Sequence, residues 1–272
     1  MSIETGGLTL MNREIAGKHA LITGSVGVDG IGFGIARRLA REGVNITLHG
    51  FGGDVEQAKA EIAEYGVEVD YNGSDLRYPD QIEAMMVEDR EKYGGSDILV
   101  LNAGKQFVSS IQNCPPEQYD EIIAINQTAP WLSAHYAIPN MLAKDWGRII
   151  VTASAHALVG SADKSPYVMS KHAVLGMVKA VALELAETPI TANAICPGWV
   201  PTALVEKQIM AKAEREGCTS AEAARLMLLE KQPSGKFVMA SQIGGAAIYL
   251  CSSDATETRG TAIVVDGGWT AR

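Results

Sequence analysis

The sequence has no basic run, no cysteine pair at metal-binding spacing, and no apolar stretch long enough to span a bilayer. Its formal net charge is −9. Nucleic acid and anionic membrane are therefore poor partners, because both are polyanions. An anionic small substrate would need cations gathered locally. The cysteines are Cys114, Cys196, Cys218 and Cys251, and none forms a C-x-x-C pair. That spacing argues against a zinc site, and no metal is expected. Their plain reading is free buried thiols in a reducing compartment, hence a cytoplasmic location. The N-terminus carries Glu4 and two glycines rather than a long apolar run, so no secretory signal is expected there. Residues 1–16 read as a flexible lead-in.

What is present suits an α/β protein. The chain has 272 residues, 47% of them hydrophobic, and 28 glycines. That is enough for a sizeable core and for tight strand-to-helix turns. Short apolar runs at 19–23, 44–48, 67–70, 97–101, 148–152, 190–195 and 261–265 read as strands. Segments of helical periodicity lie between them. Pro115 and Pro116 open what reads as one long helix through about Lys144. Cys196-Pro197-Gly198 reads as the break after the sixth strand, and residues 203–230, interrupted near Gly217, are too long for a simple crossover. The prediction is a single Rossmann-like domain over 17–272. It is a doubly wound parallel seven-stranded sheet with a helical lid at about 200–232 and a site at the carboxyl ends of the strands.

The loop Gly24-Ser25-Val26-Gly27-Val28-Asp29-Gly30-Ile31-Gly32 follows the first strand and opens a helix. Such a turn lets backbone approach a pyrophosphate at the helix N-terminus. The second strand ends His49-Gly50-Phe51-Gly52-Gly53, where an acid would bind a ribose 2′-hydroxyl and an arginine a 2′-phosphate. Neither is there, and the missing cation argues for NAD over NADP. Asp75 stands where a side chain can meet an adenine edge, or it is a turn aspartate. Asn126, inside the long helix, has a structural or a relay role.

The stretch Ser154 to Lys171 carries the chemistry. Tyr167-x-x-x-Lys171 places a phenol and an ammonium on one helix face, an arrangement that favours the phenolate. Ser154, at the end of the preceding strand, can set a hydroxyl beside that phenol. Together they suit proton transfer at an alcohol or carbonyl. Lys164 is a cation suited to an anionic substrate, and Gln106 and Gln208 are neutral hydrogen-bonding partners. Each has an ordinary reading as well: Lys164 a solvated loop charge, Gln208 an exposed helix residue, His156 a turn cap, Trp199 and Trp269 plain core.

Thr23-Gly24 with Gly30-Ile31-Gly32, Asn102-Ala103-Gly104, Asn126, Ser154, Tyr167-x-x-x-Lys171 and Pro197-Gly198 run in an order that resembles the short-chain dehydrogenase/reductase family. A narrower likeness, to the bacterial D-3-hydroxybutyrate dehydrogenases within it, lies in His49 to Gly52, Ala153 to His156, Ala192 to Val200, Leu204 to Ile209, Glu230 to Ser234 and Asp266 to Arg272. The resemblance implies a catalytic tetrad of Asn126, Ser154, Tyr167 and Lys171. It implies NAD along Gly24, Ser25, Gly30, Ile31, Gly32, Phe51, Asp75, Leu76, Asn102, Ala103, Gly104, Pro197, Gly198 and Val200, with Tyr167 and Lys171. The substrate, a small hydroxy acid or keto acid, would be held by its carboxylate at Gln106, His156, Lys164 and Gln208, against Ser154 and Tyr167, with Trp199 and Trp269 as walls. A homotetramer is implied too. The expected reaction is reversible oxidation of D-3-hydroxybutyrate to acetoacetate. Its rivals are another hydroxy acid, a sugar, a carrier-bound 3-oxoacyl chain, or non-catalytic dinucleotide sensing.

Two features depart from the family pattern. The phosphate loop is two residues longer, with Asp29 needing to turn away from a pyrophosphate. Leu101 stands where the family has asparagine, a change expected to alter packing at the strand end.

Overall fold

The computed structural model describes residues 14–271. Seven parallel strands form one sheet: β1 (His19–Ile22), β2 (Asn45–His49), β3 (Val69–Asn72), β4 (Ile98–Leu101), β5 (Gly147–Thr152), β6 (Ile190–Pro197) and β7 (Ala262–Val265). Their spatial order is β3-β2-β1-β4-β5-β6-β7. The order reverses between β1 and β4, which opens a crevice beyond their carboxyl ends.

The central strands are mostly apolar because helices cover both faces. In β4, Ile98 and Val100 join the core packed by α1 (Ile31–Arg41) and α9 (Ala240–Cys251). Leu99 and Leu101 join the opposite core, under α3 (Pro79–Tyr93), α5 (Ala129–Ala143) and α6 (Ser165–Glu184). The two-residue period of a strand thus divides one short run between two layers. Each such side chain stabilises the fold by roughly 1.5–3 kcal/mol through burial. Leu101 is part of this packing, as its departure from the family pattern suggested.

The long helix expected from Pro115 to Lys144 is three pieces. The first is α4 (Pro116–Ile123), then comes a π-helical turn at Ala124–Thr128, then α5. Pro130 has no N–H to give the carbonyl of Asn126, so the regular ladder fails at that point. Strand β6 also runs further than expected, through Pro197. Its pairing to β5 ends at Ile195, and past it only β7 pairs with β6. Proline is tolerated where one side of the ladder is empty.

The segment read as a lid is a helical pair, α7 (Ala203–Glu216) and α8 (Ser220–Lys231). Thr202 and Thr219 cap the two helices by accepting from Val205 N and Glu222 N, and Gly217 ends α7 at φ 64°. The remaining helix, α2 (Val55–Ala63), is capped by Asp54. Most of the segment read as a lead-in lies outside the described residues. Of its described part, Ile15 is fully buried and Glu14 accepts from Ser253, so residues 14–16 belong to the folded body.

Candidate active site

Parallel strands bring the ends of β1, β4, β5 and β6 to one rim, and the site is built there. Strand β5 delivers Ser154 in extended backbone, φ −176°. Its Oγ accepts from His156 N at 3.1 Å and lies 3.4 Å from His156 Nδ1. Pro166 occupies the first turn of α6, a position that needs no N–H, and one turn of this helix carries Tyr167 and Lys171. The Lys171 ammonium lies 5.7 Å from the Tyr167 ring centre and donates to Thr152 O at 2.8 Å.

The electrostatics differ from the sequence expectation. Burial raises the Tyr167 phenol, and a hydrogen bond with Ser154 opposes it. Burial brings Lys171 down to about 8. In the chain by itself, desolvation therefore outweighs the Ser154 hydrogen bond, and the Lys171 ammonium is turned to a backbone carbonyl.

Asn126 sits in the π turn with its amide fully used. Its Oδ1 accepts from Lys105 N at 2.8 Å, and its Nδ2 donates to Lys105 O at 2.8 Å and to Ser170 Oγ at 3.0 Å. This side chain positions the loop after β4 and the helix bearing Tyr167. It has no amide proton left for a relay.

Beyond the ends of β1 and β4 lies a cleft of about 620 Å³. Of the predicted cofactor residues, Gly24, Ile31, Phe51, Asp75, Leu76, Asn102, Ala103, Gly104, Tyr167 and Lys171 line it. Gly24 has φ +65°, and a Cβ there would stand 2.8 Å from Ala103 Cα. A Cβ on Gly32 would stand 2.4 Å from Gly24 O, so the helix can start tight against the turn only with glycine. Asn102 Nδ2 locks the turn by donating to the carbonyls of Thr23 and Gly24 at 3.0 and 2.9 Å. Thr152 Oγ1 is buried in this wall with no hydrogen-bond partner. The bare backbone, the helix start and this orphaned hydroxyl fit a dinucleotide.

Other predicted cofactor residues stand elsewhere. Ser25 is fully buried, donating to Ile22 O at 2.7 Å and accepting from His49 N at 3.0 Å, so its side chain builds the turn rather than facing the cleft. Gly30 lines an outer groove together with Asp29, which is exposed and turned away from the cleft. Pro197, Gly198 and Val200 line the smaller cavity described next.

Cleft residues that were not foreseen include His49, Arg77 and Glu121. His49 takes Gly24 N on its Nδ1 at 3.3 Å. Arg77 clamps Asp75 with Nη2 at 2.5 Å from Oδ2 and lies 3.7 Å from Glu121, which also pairs with Lys105. This clamp holds the Asp75 carboxyl below its usual range. The spacing Asp75-x-Arg77 was a signal for it, whereas the Glu121 contact joins segments far apart in sequence.

The smaller cavity, about 80 Å³, opens between Ser154 and Tyr167 on one side and Trp199 and Trp269 on the other. Gln106, His156 and Gln208 also line it. Trp269 meets His156 edge to face at 4.9 Å and Trp199 at 5.4 Å. Lys164 reaches it through Gln208, donating to Oε1 at 2.8 Å, with its ammonium 4.9 Å from the Trp199 ring. Burial and then the charge of Lys231 bring Lys164 to about 8. Burial, then Lys164 and Lys231, take His156 to about 3, so its imidazole is neutral. His156 Nε2 and Trp199 Nε1 are buried without partners. One cation, a glutamine pair and two unsatisfied ring nitrogens around so small a space match a short carboxylate.

The chain matches a family model described as enoyl-(acyl carrier protein) reductase over residues 24–270. It is 51% identical over 258 residues to the D-beta-hydroxybutyrate dehydrogenase of Cupriavidus necator, covering 94% of this chain and 99% of that one. It is 45% identical over 258 residues to the protein of the same name from Rhizobium meliloti, with the same coverage. Among solved structures it is similar to L-sorbose reductase from Gluconobacter frateurii in complex with NADPH and L-sorbose. That match has a TM-score of 0.90 and 30% identity, covering 96% of this chain and 100% of that one.

Proposed function

Because the chain belongs to the short-chain dehydrogenase/reductase family, and is therefore an oxidoreductase, we propose that it oxidises D-3-hydroxybutyrate to acetoacetate, reversibly, with NAD as acceptor. The observation that carries this reading is the small cavity, which Gln208, bonded to Lys164, lines together with Ser154 and Tyr167. Relatives at 51% and 45% identity named for that activity support it.

The substrate carboxylate lies against Gln106, His156 and Gln208, with Lys164 behind Gln208 supplying the charge. That orients the carbinol towards Tyr167. Ser154 holds the substrate oxygen by a hydrogen bond, and Tyr167, as phenolate, takes its proton. Lys171 stabilises the phenolate from the adjacent turn, and Asn126 fixes the backbone around them. A nicotinamide dinucleotide in the large cleft supplies the two-electron acceptor that takes hydride from the substrate carbon. The two tryptophans exclude water and leave little space beyond a short acid. A carrier-bound chain fits such a cavity poorly.

NAD is favoured over NADP by the residues that bound the ribose end. The segment His49-Gly50-Phe51-Gly52-Gly53 has no lysine or arginine. The one arginine lining the dinucleotide cleft is neutralised by Asp75. Kinetic comparison of NAD+ and NADP+ tests this, since the similar L-sorbose reductase was solved with NADPH.

Assembly as a homotetramer is supported by Trp131 and Met169, exposed at 54% and 53% on α5 and α6. Light scattering on the purified protein tests it. A cytoplasmic location is supported by four free cysteines, and no described helix is long and apolar enough to cross a membrane.

A further inference from the structure

The segment Glu230 to Ser234 leaves the second lid helix and returns to the core, and the mechanism above uses none of it. Lys231 is the last residue of α8. Gln232, next in sequence, is fully buried; its Oε1 accepts from Trp199 N at 2.8 Å and its Nε2 donates to Lys236 O. Ser234 N then donates to Gly267 O at 3.0 Å, two residues before Trp269. These bonds fix the end of α8 to both segments that carry the pocket tryptophans.

So held, the half-buried Lys231 places its ammonium 6.0 Å from the ring of Trp269. At the neighbouring ring, the Lys164 ammonium lies 4.9 Å from Trp199. Each of two rings whose centres are 5.4 Å apart thus has a cation beside it. The carboxylates nearest in sequence or across the turn are engaged elsewhere. Glu230 holds Lys212 at 2.7 Å, while Asp266 accepts from Gly268 N, Thr270 N and Thr270 Oγ1.

We propose that Lys231 is a specificity-determining residue whose ammonium, held behind Trp269, supplies a second positive charge that draws an anionic substrate into the pocket. The inference rests on the hydroxy-acid reading of the site. Its field already reaches the pocket, since Lys231 depresses both Lys164 and His156. A protein of net charge −9 repels an acid at long range, so its affinity for one depends on local cations. Lys231 acts through space and through the polarisable face of Trp269, without touching the substrate.

The test is steady-state kinetics of full-length Lys231→Gln and Lys231→Arg with D-3-hydroxybutyrate at low and high NaCl, with melting temperatures alongside. Lys231→Gln should raise KM about fivefold or more, keep kcat within about twofold, and flatten the dependence of KM on salt. Lys231→Arg should restore wild-type KM and its salt dependence. An unchanged KM in Lys231→Gln overturns the proposal. So does a raised KM that keeps the wild-type salt dependence, or one that arginine fails to rescue, because either is the mark of a packing role. If the wild-type enzyme turns over no hydroxy acid, the functional reading itself falls and the proposal with it.

Discussion

Lys164 and Gln208 meet at 2.8 Å across 44 residues of sequence, joining the loop before α6 to the first helix of the lid. The bond fixes the lid helix to a cation that stands behind the pocket wall. Lys164→Met should remove the charge behind Gln208 and its charge-assisted bond to that side chain, a loss of roughly 1.5–3 kcal/mol in holding the carboxylate. In initial-rate assays the KM for 3-hydroxybutyrate should then rise about tenfold to a hundredfold, with a smaller change in kcat.

The pH profile follows from two groups moved in opposite directions. Lys164 is lowered to about 8, so it is charged below that value and loses its charge as pH rises through it. Tyr167 is raised by burial, so its phenolate gains population as pH rises. For oxidation, kcat should climb with pH while the KM for the acid worsens above about 8. A plot of kcat/KM reports the free enzyme and should therefore be bell-shaped, and Lys164→Arg should remove the falling limb.

Tyr167→Phe removes the proton acceptor and leaves the cleft walls in place. Turnover should fall by about 10²–10⁴-fold. Fluorescence titration with NADH should give an affinity close to wild type.

Gly32→Ala puts a methyl group 2.4 Å from Gly24 O and 2.6 Å from Asn102 Nδ2. Overpacking of this kind costs roughly 1–3 kcal/mol. The KM for NAD+ should rise about tenfold, with a melting temperature lower by several degrees, about what that loss implies.

The legible parts of the molecule are those set by local pattern. Local pattern marked seven strands, the third expected at 67–70 but standing at Val69–Asn72, and Tyr167-x-x-x-Lys171 could be placed on one helix turn from spacing alone. The pocket residues were named together only because a family resemblance gathered Gln106, His156 and Gln208 from distant segments. Other features depend on partners that periodicity does not reveal. The π turn at Ala124–Thr128 arises from Pro130 lacking an N–H, a signal present in sequence but hidden by strong helical periodicity on both sides. Ser25 resembles a phosphate ligand by position, yet its hydroxyl is spent on Ile22 O and His49 N. The balance at Tyr167 turned on burial, which the spacing of two residues cannot report.

The most direct measurement is the initial rate of NADH formation from D- and L-3-hydroxybutyrate, repeated with NADP+. Turnover of the D acid with NAD+ is expected, with little from the L acid and a marked loss with NADP+. Turnover confined to uncharged alcohols or longer chains would contradict the carboxylate pocket built on Lys164, Gln208 and the two tryptophans.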